Sequence, residues 1–289
     1  MTTGRSMRIG IGMPNNVIGA TGPMLVDWAR RAEERGFDSL VTIDRITYPT
    51  YDPLISLTAA ASVTSRIELS TNILSAPLYQ PTLLARSAAA LDDISGHRLS
   101  LGLALGGYRE DYAAAGVDYA RRGEIFDRTL TAIRQFWHGD QFICDDSIRR
   151  TASIPILVGG STAPAIRRIV QHDGWAGGAT RDYADLGVFA DRLRTAWRDA
   201  GRTGQPRLRA SVNFALGDAA TVASGRAHLA AYYELLPDFA PHSVAQQVSD
   251  SVDVKEVIQA YGDLGFDELI FHPAVAATDQ IDRLADLAL

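Results

Sequence analysis

Strict alternation of short apolar runs with helical patterns predicts an α/β chain, a (β/α)8 (TIM) barrel folded as one domain over residues 1–289. Two observations carry that reading. The stretch Ile67 to Tyr112 holds a strand ending on Asn72 and Ile73, a helix starting after Pro81, and a second strand of the same polarity ending on Gly106 and Gly107. This is a βαβ unit, the repeating element of a parallel sheet. The second observation is that eight such strands, each followed by helix, fill the chain without a repeat or low-complexity insertion.

Taken in order, the apolar run Met7–Pro14 is the first strand, and Pro23–Gly36 is a helix with Leu25, Trp28, Ala29 and Ala32 at helical spacing. FDSLVTID forms the second strand, ending on Asp44 and Arg45, and Asp52–Arg66 is a helix capped by Asp52 with Pro53 in its first turn. After the βαβ unit, Tyr108–Asp140 reads as one or two helices, with Ile125, Leu130, Ile133, Phe136 and Trp137 facing the core. Ile154–Gly160 and Gly174–Gly178 are strands five and six, each followed by helix, the second of these helices running over Asp182–Gly201. Leu208–Gly217 is strand seven, Ala219–Leu236 and Val252–Leu264 are helices, Phe266–Pro273 is strand eight, and Thr278–Leu289 closes the chain. An open dinucleotide-binding sheet fits poorly, because GIGMPNNVIG after the first strand lacks the third glycine and carries Pro14 in the turn.

A net charge of −6 without a clustered basic stripe excludes nucleic acid as an expected partner. No run approaches a membrane span and the start lacks an apolar signal core, so a cytoplasmic, membrane-free protein is expected. Cys144 is the only cysteine, which excludes an intrachain disulfide and a thiolate cluster and leaves it as an inert side chain. Of 28 basic residues only Lys255 is lysine, and it falls in a helical pattern, so Schiff-base chemistry at a strand end is not available. The six histidines show no metal-binding spacing, and no metal is expected; His272, at the end of strand eight, either points into the barrel mouth or packs structurally.

In α/β barrels, ligands gather at the carboxyl ends of the strands. There the chain places Gly159, Gly160, Ser161 and Thr162 after strand five and Gly177 and Gly178 after strand six. Glycine turns leading into a hydroxyl-started helix suit a phosphate, although an ordinary capped helix start accounts for the same residues. Asn72, Ile73, Ser75 and Pro77 mark an irregular strand end that admits a non-prolyl cis bond or a plain loop. Gly106 and Gly107 leave room for a planar ring, and Asp44 and Arg45 are either a surface ion pair or the catalytic, proton-handling pair.

Together the segments MRIGIGMP, IDRITYPTYDPLISLTAAASVTSRI, STNILSAPLYQP, LDDISGHRLSLGLALGGYREDYAAAGVDYARRGEIFD, PILVGGSTAPAIRR and DGWAGG resemble the luciferase-like monooxygenase family, (β/α)8 oxidoreductases using FMN or the deazaflavin coenzyme F420. The resemblance covers nearly the whole chain. It implies a cis peptide at Asn72–Ile73 buttressing the ring, with Gly106 and Gly107 bordering it. It also implies that Gly159, Gly160, Ser161, Thr162, Gly177 and Gly178 hold the phosphate. The implied chemistry is hydride transfer, or flavin-hydroperoxide oxygenation of a small organic substrate if FMN meets oxygen. Implied partners are that small-molecule substrate, a flavin reductase or F420-reducing system, and a second copy in a homodimer. Many members have Asp-His where this chain has Asp44-Arg45; Arg45 is then expected to stabilise negative charge on the ring or substrate. The segment between strands seven and eight is compact, without an insertion long enough for a deep lid. A phosphate-binding aldolase or isomerase and a non-catalytic flavin-binding protein are the alternatives.

Overall fold

The eight parallel strands close into a barrel in the order β1 to β8, β8 pairing back onto β1. The computed structural model describes residues 6–138 and 154–289. Cys144 and Asp140, the predicted end of the helical segment from Tyr108, lie outside them. The strands are β1 (Arg8–Gly12), β2 (Ser39–Thr42), β3 (Glu68–Ser75), β4 (Leu99–Ala104), β5 (Ile156–Gly159), β6 (Gly174–Ala179), β7 (Arg207–Phe214) and β8 (Glu268–Pro273). Several start later or stop earlier than the apolar runs suggest, because the flanking residues turn into loops before the ladder ends.

Around them lie α1 (Gly22–Glu34), α2 (Pro53–Ala61), α3 (Pro81–Ile94), α4 (Arg109–Ala114), α5 (Arg122–His138), α6 (Ala163–Ile169), α7 (Tyr183–Asp199), α8 (Ala219–Tyr232), α9 (Ala240–Ala245), α10 (Ser251–Asp263) and α11 (Asp279–Ala288). The expected cap at Asp52 is in place, and further caps accompany it. Asp52 accepts from the Ile55 N–H at 2.8 Å, and Thr21, Thr162, Asp218 and Asp250 serve the starts of α1, α6, α8 and α10 in the same way. The segment expected to be one or two helices is two, α4 and α5, joined through a 3₁₀ turn at Tyr119–Arg121. The short helix α9 has no counterpart in the sequence reading, since six residues give too few turns for a periodic signal.

Alternate residues of each strand point outward and inward. The outward set, including Ile9, Ile11, Leu69, Leu101, Leu103, Val212 and Phe271, packs against helices in one apolar shell. The inward set is polar at the amino-terminal end. Arg209, fully buried, donates from Nε to Glu268 at 2.7 Å, from Nη1 to the Ser70 hydroxyl at 2.6 Å and from Nη2 to Glu68 at 3.1 Å. Arg207 bridges the same two carboxylates at 2.8 and 2.7 Å, and Arg8 reaches Glu68 at 2.7 Å. Three guanidiniums and two carboxylates thus fill the barrel floor where branched aliphatics are usual.

Backbone closeness sets one position absolutely. A Cβ added to Gly102 would lie 2.2 Å from the Thr71 carbonyl oxygen of the neighbouring strand. Gly102→Ala is therefore expected to push β3 and β4 apart and cost about 1–3 kcal/mol, read as a lower urea midpoint with unchanged slope. An unchanged midpoint would mean that the two strands can part freely.

Candidate active site

The carboxyl ends of β2, β3, β4, β6, β7 and β8 converge on a cavity of about 160 Å³. Of the residues singled out from sequence, Asp44, Arg45, Asn72, Ile73, Gly106, Gly107 and Gly178 line it. The Asn72–Ile73 peptide bond is cis, as the resemblance implied, but it lies within β3, which runs past the predicted end at Asn72 and Ile73 to Ser75 because pairing with β4 resumes after a register shift between Thr71 and Leu74. A larger cavity, about 540 Å³, opens at the opposite end of the barrel beside Arg8, Glu68, Arg98 and Arg207. Its cations are already spent: Arg98 donates to the Ser95, Ala61, Thr64 and Ile67 carbonyls, and Arg8 and Arg207 hold the floor carboxylates.

Asp44 is buried. Its two oxygens accept from the Ser75 N–H and the Tyr79 hydroxyl, each at 2.9 Å. Burial raises its pKa to about 6, against the lowering effect of those two hydrogen bonds. Arg45 is 3% exposed and paired: Nε donates to Asp111 Oδ2 at 2.6 Å, and its guanidinium carbon lies 3.2 Å from the centre of the Tyr108 ring. Asn72 Nδ2 donates to the Gly177 carbonyl at 3.3 Å, and the Ser211 hydroxyl reaches the same oxygen at 3.0 Å. His272 does face the mouth, fully buried, with Nε2 3.4 Å from Asn72 Nδ2. Burial, helped by the positive charge of Arg209, holds its pKa near 3, so the ring is neutral. Among the described residues no group of three or more His, Cys, Asp or Glu side chains comes together to hold a metal.

The remaining predicted residues divide in two. Gly159 is glycine because a Cβ would sit 2.8 Å from Ala104 Cβ, and Gly177 because a Cβ would sit 2.4 Å from the Trp175 ring. Both answer to packing. Gly160, Ser161, Thr162 and Gly178 are exposed at two neighbouring strand ends; Gly160 has φ +103°, and no atom lies within 4 Å of a Cβ built on Gly178. They leave an open, glycine-edged patch beside the cavity. The Thr162 hydroxyl itself is used as the cap of α6, accepting from Ala165 N–H at 3.4 Å.

A family model described as Luciferase-like monooxygenase matches residues 7–277. The chain belongs to this family. An uncharacterized protein of Mycobacterium tuberculosis is 30% identical to it over 207 residues, 61% of this chain and 72% of its own. The oxygenase component of a flavin-dependent trigonelline monooxygenase from Acinetobacter baylyi is 33% identical over 91 residues, 31% of this chain and 25% of its own. An F420-dependent secondary alcohol dehydrogenase, solved with an F420–acetone adduct, superposes with a TM-score of 0.81 over 98% of both chains at 15% identity, a likeness of fold.

In this luciferase-like barrel the sequence reading overlooked one wall of the site. Tyr108, Tyr232 and Tyr233 line the cavity together with Ser211 and Asn213. For β7 a signal existed: Arg209, Ser211 and Asn213 alternate within a strand buried along nearly its whole length, which marks the inward face. For Tyr232 and Tyr233 there was none, because they sit where α8 ends and the chain folds back through bonds from Leu236 N–H to Tyr233 O and from Phe239 N–H to Leu236 O. That fold-back lies within the compact segment between β7 and β8. Compact as it is, the segment brings Leu236 Cδ1 to 4.0 Å from a Cβ built on Gly107 and narrows the cavity below the ~300–1,000 Å³ of typical ligand pockets.

Proposed function

We propose that this protein is a flavin- or deazaflavin-dependent oxidoreductase, with FMN or F420 as cofactor and a small organic molecule as substrate. One observation supports it above the rest: the cis Asn72–Ile73 peptide, Gly106, Gly107 and a buried, protonatable Asp44 border the same cavity of a luciferase-like barrel. The residues present fit such a cofactor. Gly106, Gly107 and the cis peptide of the neighbouring strand end would border a flat ring once the tyrosine wall gives way, and Gly160, Ser161, Thr162 and Gly178, exposed at adjacent strand ends, would take a phosphate. When bound, either cofactor supplies hydride transfer, and FMN also supplies oxygen chemistry. Asp44 holds or releases the proton that accompanies the hydride, because its pKa of about 6 lies near neutrality. Neutral His272, Asn72 and Ser211 orient polar groups without adding charge, and the tyrosine wall excludes water. The named relatives, a flavin-dependent monooxygenase and an F420-dependent dehydrogenase, support both cofactor branches. The wider reading is of a cytoplasmic homodimer whose electrons come from a flavin reductase or an F420-reducing system, with no nucleic-acid or membrane partner.

Titration with FMN and with F420, followed by absorbance, tests this. One of the two is expected to bind at micromolar concentration. Asp44→Asn is expected to leave that affinity within about threefold, to cut turnover by about 10²–10⁴ and to remove the inflection near pH 6 from the rate profile. Failure of the wild-type protein to bind either cofactor would end the proposal.

A further inference from the structure

Arg45 stands in the cavity wall, yet its hydrogen bonds go to the protein itself. Besides Asp111, it reaches the Tyr232 carbonyl from Nη1 and the Thr47 hydroxyl from Nη2, both at 3.4 Å. Asp111 is 3% exposed and completes the knot. Its Oδ2 takes Arg45, while its Oδ1 accepts the Thr47 N–H at 2.8 Å and the Thr47 hydroxyl at 2.5 Å. The guanidinium plane rests on Tyr108 and is flanked by Tyr48 and Tyr232, at 5.8 and 5.5 Å from the ring centres. The Tyr108 hydroxyl in turn donates to the Tyr232 carbonyl at 3.3 Å. Three segments meet at this point: the loop after β2 with Arg45 and Thr47, the connection after β4 with Tyr108 and, in the first turn of α4, Asp111, and the end of α8 after β7.

We propose that Arg45 is a positioning residue. Paired with Asp111, it clamps these three segments into one wall, and the aim of Tyr108 and Tyr232 into the cavity depends on the pair and not on a charge offered to the ligand. A planar five-donor fork suits the task, since one guanidinium serves a carboxylate, a carbonyl, a hydroxyl and an aromatic face at once; an ammonium presents a single point charge. The binding consequence rests on the cavity being the cofactor site, whereas the clamp itself does not.

Hydrogen exchange and cofactor titration on Arg45→Met, Asp111→Asn, the double variant and Arg45→Lys separate the roles. Both single variants are expected to raise amide exchange at residues 46–51, 106–112 and 230–239 together, with the strands unchanged, and the double variant to add nothing further. Each is also expected to weaken binding of whichever of FMN or F420 the wild type takes by about tenfold, through misplacement of the wall. Arg45→Lys, which keeps the ion pair but not the fork, is expected to restore protection at 106–112 and leave 230–239 open. A merely structural ion pair would lower the melting temperature without touching affinity, and that result overturns the positioning role. So does a large affinity loss in Arg45→Met with none in Asp111→Asn, which would mean direct contact with the ligand. Should Arg45→Met not fold, the Asp111→Asn and Arg45→Lys pair decides alone. Wild-type protein that binds neither cofactor would sink the oxidoreductase reading while the exchange data still judge the clamp.

Discussion

Glu268→Gln is expected to destabilise the fold by about 3–5 kcal/mol, the cost of leaving a buried charge without its partner. Glu268 is completely buried at the start of β8, and its Oε2 takes both Arg209 Nε and Arg207 Nη2 at 2.7 Å. The surrounding arginines hold its pKa down near 2 although burial pushes the other way, so it is ionised throughout the working range. Removing that charge leaves Arg8, Arg207 and Arg209 facing Glu68 alone. Gln can still accept one hydrogen bond, but it does not neutralise Arg209, which has no solvent to turn to. Desolvation rather than lost attraction dominates, so removing both partners should do less harm than removing one. Glu268→Leu combined with Arg209→Met is expected to recover most of the loss in urea midpoint. A shift below about 1 kcal/mol for Glu268→Gln would show that water reaches the barrel floor.

The same network marks where the sequence was legible and where it was not. Strand and helix order could be read because the outward strand faces are largely apolar and α1, α2, α3, α6, α8 and α10 each carry a side-chain cap at the start, as with Asp52-Pro53 before α2. Those are local signals. The irregularity in β3 was also legible, since the polar Asn72 marks the cis bond, although the strand resumes beyond it to Ser75. The ionic floor was not, because Arg8, Glu68, Arg207, Arg209 and Glu268 come from four strands up to 260 residues apart and are neighbours only once the barrel closes. For the same reason Arg45 looked available in the sequence: nothing near it in the chain announces Asp111, 66 positions on. The glycines were read correctly as special but not for one reason. Gly178 borders open space, while Gly159 and Gly177 make room for Ala104 and Trp175.

Three buried histidines give the second large expectation, a steep loss of stability in mild acid. Burial lowers the pKa of His172 and His272 to about 3 and of His228 to about 4, and the Nδ1 atom of each lacks a hydrogen-bond partner among the described residues. A histidine whose folded pKa lies below its unfolded value of ~6.5 contributes stability that is complete above that value and is lost as pH falls toward the folded pKa. Asp44 works in the opposite sense. Its folded pKa of about 6 exceeds the unfolded ~3.9, so its protonation favours the folded state as pH falls through 6. Near pH 5 the unfolded chain therefore binds three extra protons at the histidines and the folded protein one at Asp44. The net of about two protons corresponds to a loss of about 2.7 kcal/mol per pH unit between roughly pH 6 and 4.5. Urea midpoints at pH 8, 6 and 5 read that slope directly. Replacing His172 or His228 by Gln should flatten it by about 1.4 kcal/mol per pH unit whatever it does to stability at pH 8, and Asp44→Asn should steepen it by a similar amount. A slope that ignores all three substitutions would place these side chains in contact with water in the native state, and the pocket that Asp44 and His272 line would then not be dry.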